Sequence, residues 1–236
     1  MEKQIQATIA HAIAEMKSNP FLTKLASGYH STEVWQKFGA ERCNIADQWF
    51  IPLLSFGRDQ ARDAGDNELG QILNSNILDE LGLNEKGCVV AKPHPQIRKE
   101  FYQELGVTDK ILSAAMDNKF PGALVYKQTV GRLIAIGANH LRTAGAILYI
   151  ETTLSAELTL VLKAVTQGFA NLSEQSLWYL TDHIHHDAQG HGPMLKKALA
   201  KYTLPADIRQ IIQGVIDLKE AKQNFYRELS KEFLWE

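Results

Sequence analysis

Cysteine is scarce in this sequence: only Cys43 and Cys88 occur among 236 residues. Two cysteines are too few for a disulfide framework, and their wide separation is unlike that of the paired thiolates in a structural zinc site. The chain also has no CxxC or HExxH spacing, which removes the most specific zinc signatures. We therefore expect two free thiols, with Cys43 in the core.

An excess of positive charge is also missing. The chain has 25 Lys and Arg against 27 Asp and Glu, and its basic residues are scattered, so we expect no binding to nucleic acid. Residues 1–5 (MEKQI) do not begin an apolar signal region, and no run approaches the roughly 20 apolar residues of a membrane span. We therefore expect a cytoplasmic protein with no membrane partner.

Strand-like alternation is rare, whereas apolar residues recur at helical spacing from end to end. With 45% hydrophobic residues and no internal repeat or linker, this pattern predicts one all-α domain over residues 1–236. Pro52 should kink the second helix, and 82–93 should be irregular. Helices are predicted near 2–17, 31–63, 66–80, 95–106, 108–117, 121–141, 143–168, 173–201 and 205–233.

Histidine is concentrated in the segment 182–191 (DHIHHDAQGH), which holds four of the eight histidines. On a helix advancing about 100° per residue, His183, Asp187 and His191 fall at roughly 0°, 40° and 80°, on one face. Imidazole and carboxylate groups in a core need partners, and a metal ion would satisfy all three. The same arc carries further residues that indicate a core-facing side: Leu180, Met194 and Ala198.

Two alternatives remain open for this segment. His185 points away from the shared face, but His186 lies about 60° to the other side of His183 and would serve in place of His191. A solvated, histidine-rich helix face without a metal is the other interpretation.

Two glutamates are also predicted to face the core. Glu80 shares a helix face with Leu69, Leu73 and Ile77, although a carboxylate in a last helical turn is often solvated. Glu151 must be protonated, paired or bound to a cation, and Arg132 and Arg142 are the candidate ion-pair partners. Its neighbours on the predicted face are all aliphatic: Ile147, Leu148, Leu154, Leu158 and Leu162.

Beyond the irregular segment lies His94, which is either a ligand or an ordinary turn histidine. Counting it, three carboxylates and three imidazoles come from separate helices, the donor set of a diiron or dimanganese carboxylate site. The candidate ligands are Glu80, His94, Glu151, His183, Asp187 and His191.

At these residues the chain resembles the haem-oxygenase-like diiron oxidases and oxygenases (CADD-like), which share a fold with thiaminase-like and pyrroloquinoline-quinone-synthase-like proteins. Segments 19–28 (NPFLTKLASG) and 35–42 (WQKFGAER) are similar to the opening helix pair of that superfamily. Two spacings differ. Glu80 and His94 are fourteen residues apart instead of about seven, and His191 follows Asp187 by four instead of three. A π-type bulge near Gly190 would absorb the second difference.

The resemblance implies a haem-oxygenase-like helical bundle that holds two Fe(II) ions and uses O2 with an external reductant. It also implies that Glu80, Glu151 and Asp187 serve catalysis as well as metal binding. Members of the family oxidise amino acids or fatty acids, in some cases converting a tryptophan-type amino acid to a nitrile in natural-product biosynthesis. We therefore expect an amino-acid-like substrate, with a homodimer as a candidate assembly.

Several aromatic and basic residues are candidates for substrate binding. Arg42 or Arg98 would bind a substrate carboxylate through two hydrogen bonds. An indole would fit among aromatic side chains, any of which is otherwise ordinary core: Trp49, Phe56, Tyr149, Trp178 and Tyr179.

Other functions remain in competition with an amino-acid oxidase. A fatty-acid decarboxylase or an N-oxygenase would use the same metal site. A thiaminase-like hydrolase needs a cysteine on a mid-chain pocket helix, and none follows Cys88. A haem protein would use His11 or His30 as its proximal ligand. A cofactor-free oxidase or a non-catalytic binding protein would leave the core carboxylates unexplained.

Overall fold

The computed structural model describes residues 2–117 and 119–235, with the backbone alone for residues 2 and 186–189. Helices form almost all of its regular structure, and the described residues add a single antiparallel bridge, between Leu83 and Val89. The helices are α1 (Glu2–Lys17), α2 (Pro20–Leu25), α3 (Thr32–Asp63), α4 (Asn67–Glu80), α5 (His94–Glu104), α6 (Asp109–Asp117), α7 (Pro121–Leu133), α8 (His140–Gly168), α9 (Glu174–Gln189), α10 (His191–Leu199) and α11 (Pro205–Glu232). The all-α prediction is confirmed.

Two predicted helices differ most from the observed ones, for local reasons. The helix predicted over 121–141 ends at Leu133, and Asn139 caps α8 by accepting hydrogen bonds from the amides of Leu141 and Arg142. The helix predicted over 173–201 is two helices, because Gly190 has φ −105° and ψ −99°, outside the helical region. This break replaces the expected π-type bulge. Because of the break, α10 does not continue the helical face of α9. Met194 is therefore exposed instead of core-facing.

Helix α8 is the central helix of the bundle. It packs against α1, α2, α3, α9, α10 and α11, and its buried residues run from Leu141 to Val165. By length and composition alone it would qualify as a membrane span, which corrects the expectation that no segment would. In this structure 61% of its most apolar window is buried against the other helices, as in the core helix of a bundle.

Helices α8 and α11 approach closely at two glycines. A Cβ at Gly145 would overlap the carbonyl oxygen of Ile211, and a Cβ at Gly214 would overlap that of Arg142. Because only glycine allows backbones to come this near, the pair sets the distance between the two helices. Buried Leu218 and Phe225 of α11 then pack in the core.

Helices α5 and α9 run antiparallel beside each other. Glu104 accepts hydrogen bonds from the backbone and hydroxyl of Ser173 at one end, and His94 packs on His183 at the other. Between these ends the ring of Phe101 packs on that of Tyr179, with centroids 5.6 Å apart. This alignment brings the first residue of α5 to the middle of α9.

Candidate metal centre

Among the described residues, Glu80, His94 and His183 form a compact cluster of potential ligands. One donor atom from each lies within 4.8 Å of the others. Glu80 is the last residue of α4 and His94 the first of α5, so the intervening loop returns the chain to the same point. Pro93 and Pro95 suit the start of α5, because proline is favoured in the first helical turn. The separation of fourteen residues between Glu80 and His94 is therefore compatible with a shared metal site.

His183 has the tautomer that a metal ligand needs. Its Nδ1 lies 2.9 Å from the carbonyl oxygen of Tyr179, and because a carbonyl only accepts, Nδ1 carries the proton. Burial lowers the pKa of His183 to about 4, and the neighbouring His94 adds to the effect. A neutral ring with Nδ1–H held by the backbone presents the lone pair of Nε2 to the cluster, as in many metal sites.

Glu80 and His94 form a hydrogen-bonded pair within the cluster. His94 Nδ1 donates to Glu80 Oε1 at 3.1 Å. Burial alone would raise the pKa of Glu80, but this bond and the charges of His94 and Arg98 lower it. Burial would likewise lower the pKa of His94, yet Glu80 raises it. The alternative of a solvated carboxylate at the helix end does not hold, since Glu80 is only 8% exposed.

Arg98 lies behind Glu80, one helical turn after His94. Its Nη1 is 3.3 Å from Asp47 Oδ1, and its Nη2 is 3.9 Å from Glu80 Oε2. The second distance exceeds that of a hydrogen bond, and Glu80 Oε2 has no hydrogen-bond partner among the described residues. One oxygen of a buried carboxylate is therefore still available beside the histidines.

Glu151 lies near this cluster, on α8. Its Oε1 accepts a 2.6 Å hydrogen bond from Asn76 Nδ2, one turn before Glu80 on α4. Burial raises the pKa of Glu151 to about 7, against the opposing charge of His191 and the bond from Asn76. The candidate partners Arg132 and Arg142 instead contact Thr129 and Asp217. Among the described residues, Glu151 is thus a buried carboxylate without an arginine partner.

His191 approaches from the first turn of α10. Its Nε2 lies 3.1 Å from Asp79 Oδ2, so α10 is connected to the end of α4. Burial would lower the pKa of His191, but the bond to Asp79 and the charge of Glu151 raise it. The contact with Asp79 was not predicted from the sequence. Asp79 precedes Glu80 directly, and adjacent residues lie on different faces of a helix. The break at Gly190 permits this approach.

Five of the six candidate ligands therefore converge on one region, where Glu80 affects the pKa of the other four. The side chain of Asp187 lies outside the described residues, as does that of His186, so the choice between His186 and His191 is open. His185 is exposed, as its helical phase predicts.

The donor chemistry of this region fits a divalent metal. Mixed carboxylate and imidazole donors suit iron or manganese, and neutral His183 with ionised Glu80 offers unprotonated donors. Buried carboxylates at this density are also costly without a cation to balance them. Glu80, His94 and His183 would hold one ion, and Glu151 with His191 would contribute to a second.

The candidate substrate arginines are already paired. Arg42 Nε donates to Glu157 Oε1 at 2.6 Å in the core, and Arg98 is engaged with Asp47 and Glu80 as described above. Tyr149 is 2% exposed within the core, whereas Trp49 is half-buried. The structure therefore does not present Arg42 or Tyr149 to an open site.

Glu157 is the centre of a buried ion cluster that sequence reasoning missed. Lys222 Nζ lies 2.9 Å from Glu157 Oε2, opposite Arg42. Burial alone would raise the pKa of Glu157, but the two cations lower it to about 2. The same burial, with the charge of Arg42, lowers the pKa of Lys222 to about 8. The sequence could have indicated a buried carboxylate here, since Glu157 lies between Ala156 and Leu158 on the apolar helix α8.

A groove of about 580 Å3 opens beside Glu151, between α1, α8 and α10. Glu151 lines the groove and is 3% exposed, whereas Lys17 is exposed and Lys196 half-buried. The five candidate aromatic residues are not part of its wall. The other lining residues are Ile9, Ile13, Thr152, Ser155, Ala156, Thr159, Leu160, Gly192 and Pro193.

Comparison with known proteins identifies the family. The model of a haem-oxygenase-like family described as "iron-containing redox enzyme" matches residues 50–221, which include all six candidate ligands. The chain belongs to this family. The description of the family supports iron binding and oxidoreductase activity, and the cluster of Glu80, His94 and His183 is a possible metal site. No curated protein matched the sequence.

Solved structures share the fold of this chain. A CADD-like protein of unknown function from Nostoc punctiforme PCC 73102 is similar with a TM-score of 0.78 and 21% identity, over 98% of this chain and 97% of that one. A TenA homolog from Pseudomonas syringae pv. tomato str. DC3000 has a TM-score of 0.69 and 14% identity, over 97% and 92%. At these identities the likeness shows the fold alone.

The two histidines considered as haem ligands have other contacts. His11 is exposed and pairs with Glu15 at 3.4 Å. Nε2 of His30 lies 3.1 Å from the carbonyl oxygens of Lys24 and Leu25, and its ring packs on Trp235. Cys43 is buried and Cys88 exposed, and both are free thiols. Burial raises the pKa of Cys43 to about 12, the opposite of what a nucleophilic thiolate requires.

Proposed function

We propose that this protein is a non-haem diiron oxidoreductase that uses O2 and an external reductant to oxidise a small amino-acid-type substrate. The observation that carries the proposal is the buried cluster of Glu80, His94 and His183 beside Glu151 and His191, in a chain of the iron-containing redox family. Asp187, on the same helix as His183, is proposed as the sixth ligand. Two ferrous ions, when bound, would supply electrons for the reduction of O2.

The protein's own side chains have distinct parts in this proposal. The Tyr179 carbonyl keeps the proton of His183 on Nδ1, so that Nε2 faces the cluster. Asn76 orients Glu151 through Oε1, and Asp79 orients the His191 ring. Binding of a metal would displace the proton shared by Glu80 and His94. The burial of Glu80, Glu151 and His183 would exclude water from the reaction.

Metal content and ligand substitution test the centre directly. Protein loaded anaerobically with Fe(II) should hold about two irons per chain. His183→Ala and Glu151→Ala should each remove tight binding at one or both positions. His185→Ala is the matched control, because His185 is exposed on the same helix. A stoichiometry near zero, or equal damage from His185→Ala and His183→Ala, would contradict the proposed site.

Substrate class is tested by O2 consumption with reduced, iron-loaded protein. Amino acids, aromatic ones first, should accelerate it if the proposal holds, and formation of a nitrile would identify the product class. The groove beside Glu151 favours a second candidate, an aliphatic acid, because its wall includes Ile9, Ile13 and Leu160 and lacks the candidate aromatic residues. Acceleration by alkyl acids alone would favour this second candidate and leave the diiron assignment intact.

A further inference from the structure

Arg98 is shared between two carboxylates and forms a close contact with neither. Its Nη1 lies 3.3 Å from Asp47 Oδ1, and its Nη2 lies 3.9 Å from Glu80 Oε2. Among the described residues, neither of these oxygens accepts a hydrogen bond, and Arg98 Nε donates none. Because Arg98 is only 6% exposed and a guanidinium is always charged, we attribute its position to the attraction of both carboxylates.

Another arginine of the core makes the contact that Arg98 lacks. Arg42 Nε donates a 2.6 Å hydrogen bond to Glu157 Oε1. Bonds of this charge-assisted kind are normally about 2.7–2.9 Å long, well below the 3.9 Å between Arg98 and Glu80. The nearer carboxylate, Asp47, therefore holds the guanidinium on its own side. Asp47 lies on α3, which packs against α5 and carries none of the candidate ligands.

We propose that Asp47 is a positioning residue of the metal centre, which holds the Arg98 guanidinium away from Glu80 and so keeps Glu80 Oε2 free for a metal ion. This inference rests on the proposed function, because it takes Glu80 as a ligand. Without the charge of Asp47, the guanidinium would close on Glu80 and donate to Oε2. Since Oε1 is already bonded to His94 Nδ1, both oxygens of the carboxylate would then be occupied.

The effect of Asp47 should depend on the presence of Arg98. In this arrangement a metal ion does not need the guanidinium, whose positive charge would repel a divalent ion bound to Glu80. If the charge of Asp47 merely attracted the metal through space, it would act equally with or without Arg98. A double-mutant cycle separates these two explanations.

Co(II) titration of the wild type and three variants measures this dependence. Asp47→Asn should weaken Co(II) binding by about tenfold or more, as is typical when a group that orients a ligand is removed. Arg98→Met should bind Co(II) at least as tightly as the wild type. The double variant Asp47→Asn/Arg98→Met should match Arg98→Met within about twofold. Its visible Co(II) absorption spectrum should equal that of the wild type, because the ligands are unchanged.

Asp59→Asn is the matched control for the charge of Asp47. Asp59 is exposed on the same helix and pairs with Arg58 at 2.8 Å, so the variant removes the same charge from an exposed ion pair. Its Co(II) affinity should stay within about twofold of the wild type. Circular dichroism checks that each variant is folded, and Arg98→Gln takes the place of Arg98→Met if the methionine variant is not.

Several results would overturn this role of Asp47. Wild-type affinity in Asp47→Asn is one, and loss of Co(II) binding in folded Arg98→Met is another. An equal loss from Asp47→Asn with and without Arg98 would show that the charge of Asp47 acts directly on the metal. Each of these results would leave the metal centre itself intact. Failure of the wild type to bind Co(II) would instead contradict the proposed function, and the role of Asp47 with it.

Discussion

Three buried glutamates of this protein differ in the groups that they contact in the core. Glu80, Glu151 and Glu157 are all buried carboxylates on helices, yet each has a different environment. Glu157 lies between Arg42 and Lys222, so its charge is balanced by protein groups. Among the described residues, the groups that lower the pKa of Glu80 or Glu151 are histidines, the Asn76 amide and the more distant Arg98, which is why both carboxylates remain candidates for a cation.

The ion cluster at Glu157 should be essential for stability. Glu157→Gln leaves two buried cations without a counter-charge, and breaking a buried pair in this way costs about 3–5 kcal/mol. Urea unfolding of the variant should show this loss in the free energy of unfolding. Glu220→Gln, on an exposed part of α11, should change it by less than about 0.5 kcal/mol. Similar stabilities for the two variants would refute the role of the cluster.

The same carboxylate should make stability depend on pH. The pKa of Glu157 is lowered from an ordinary 4.5 to about 2, so the folded state binds its proton less readily than the unfolded state. Its contribution is therefore complete above pH 4.5 and is lost as pH falls towards 2, on the order of 3 kcal/mol. Acid unfolding curves of wild type and Glu157→Gln should converge across this range. A stability difference between the two proteins that stays constant as pH falls would contradict this role of the Glu157 pKa.

At the scale of elements, the loop from Gly82 to Pro93 decides whether Glu80 and His94 meet. The Gly82 carbonyl accepts hydrogen bonds from the amides of Val90 and Ala91, which closes the loop back on the end of α4. Gly82 has φ +67°, and a Cβ there would overlap the carbonyl oxygen of Ala91. The closed loop therefore depends on glycine at this position.

Two glycine substitutions separate closure of the loop from backbone strain. Gly82→Ala should displace Ala91 and move His94 from Glu80, weakening Co(II) binding by about tenfold or more. Gly87→Ala has a similar strain, at φ +74°, but no atom lies within 4 Å of its Cβ. It should cost about 1–2 kcal/mol of stability and leave metal affinity nearly unchanged. Titration of both variants with Co(II) checks this, and equal affinities would refute it.

For the whole molecule, the candidate ligands come from four regions of the bundle: the junction of α4 and α5, the middle of α8, α9, and the start of α10. Metal ions held by these ligands would add bonds between helices that are otherwise joined by packing and by hydrogen bonds such as Asn76–Glu151 and Asp79–His191. Since the unfolded chain does not present this arrangement, binding should be linked to folding.

Metal should therefore raise the thermal stability of the protein. At a free Co(II) concentration of about 100 times Kd, mass action adds about 2.7 kcal/mol, which raises Tm by several degrees. Calorimetric scans with and without Co(II) measure this difference. The shift should disappear in His183→Ala and persist in His185→Ala. A Tm of wild type that does not respond to Co(II) would contradict the proposed centre.

Much of this arrangement follows from local sequence. Helical periodicity predicted an all-α protein, burial of Glu80 and Glu151, and the opposite exposures of His183 and His185, because a period of 3.6 residues is a property of neighbours in the chain. Tertiary structure alone decided which side chains meet: Asn76 with Glu151, Asp79 with His191, Arg98 with Asp47, and Arg42 with Glu157. It also decided the break at Gly190, which the sequence indicated only as an irregularity. These outcomes depend on how helices distant in sequence pack together, and periodicity within one helix carries no information about its partner.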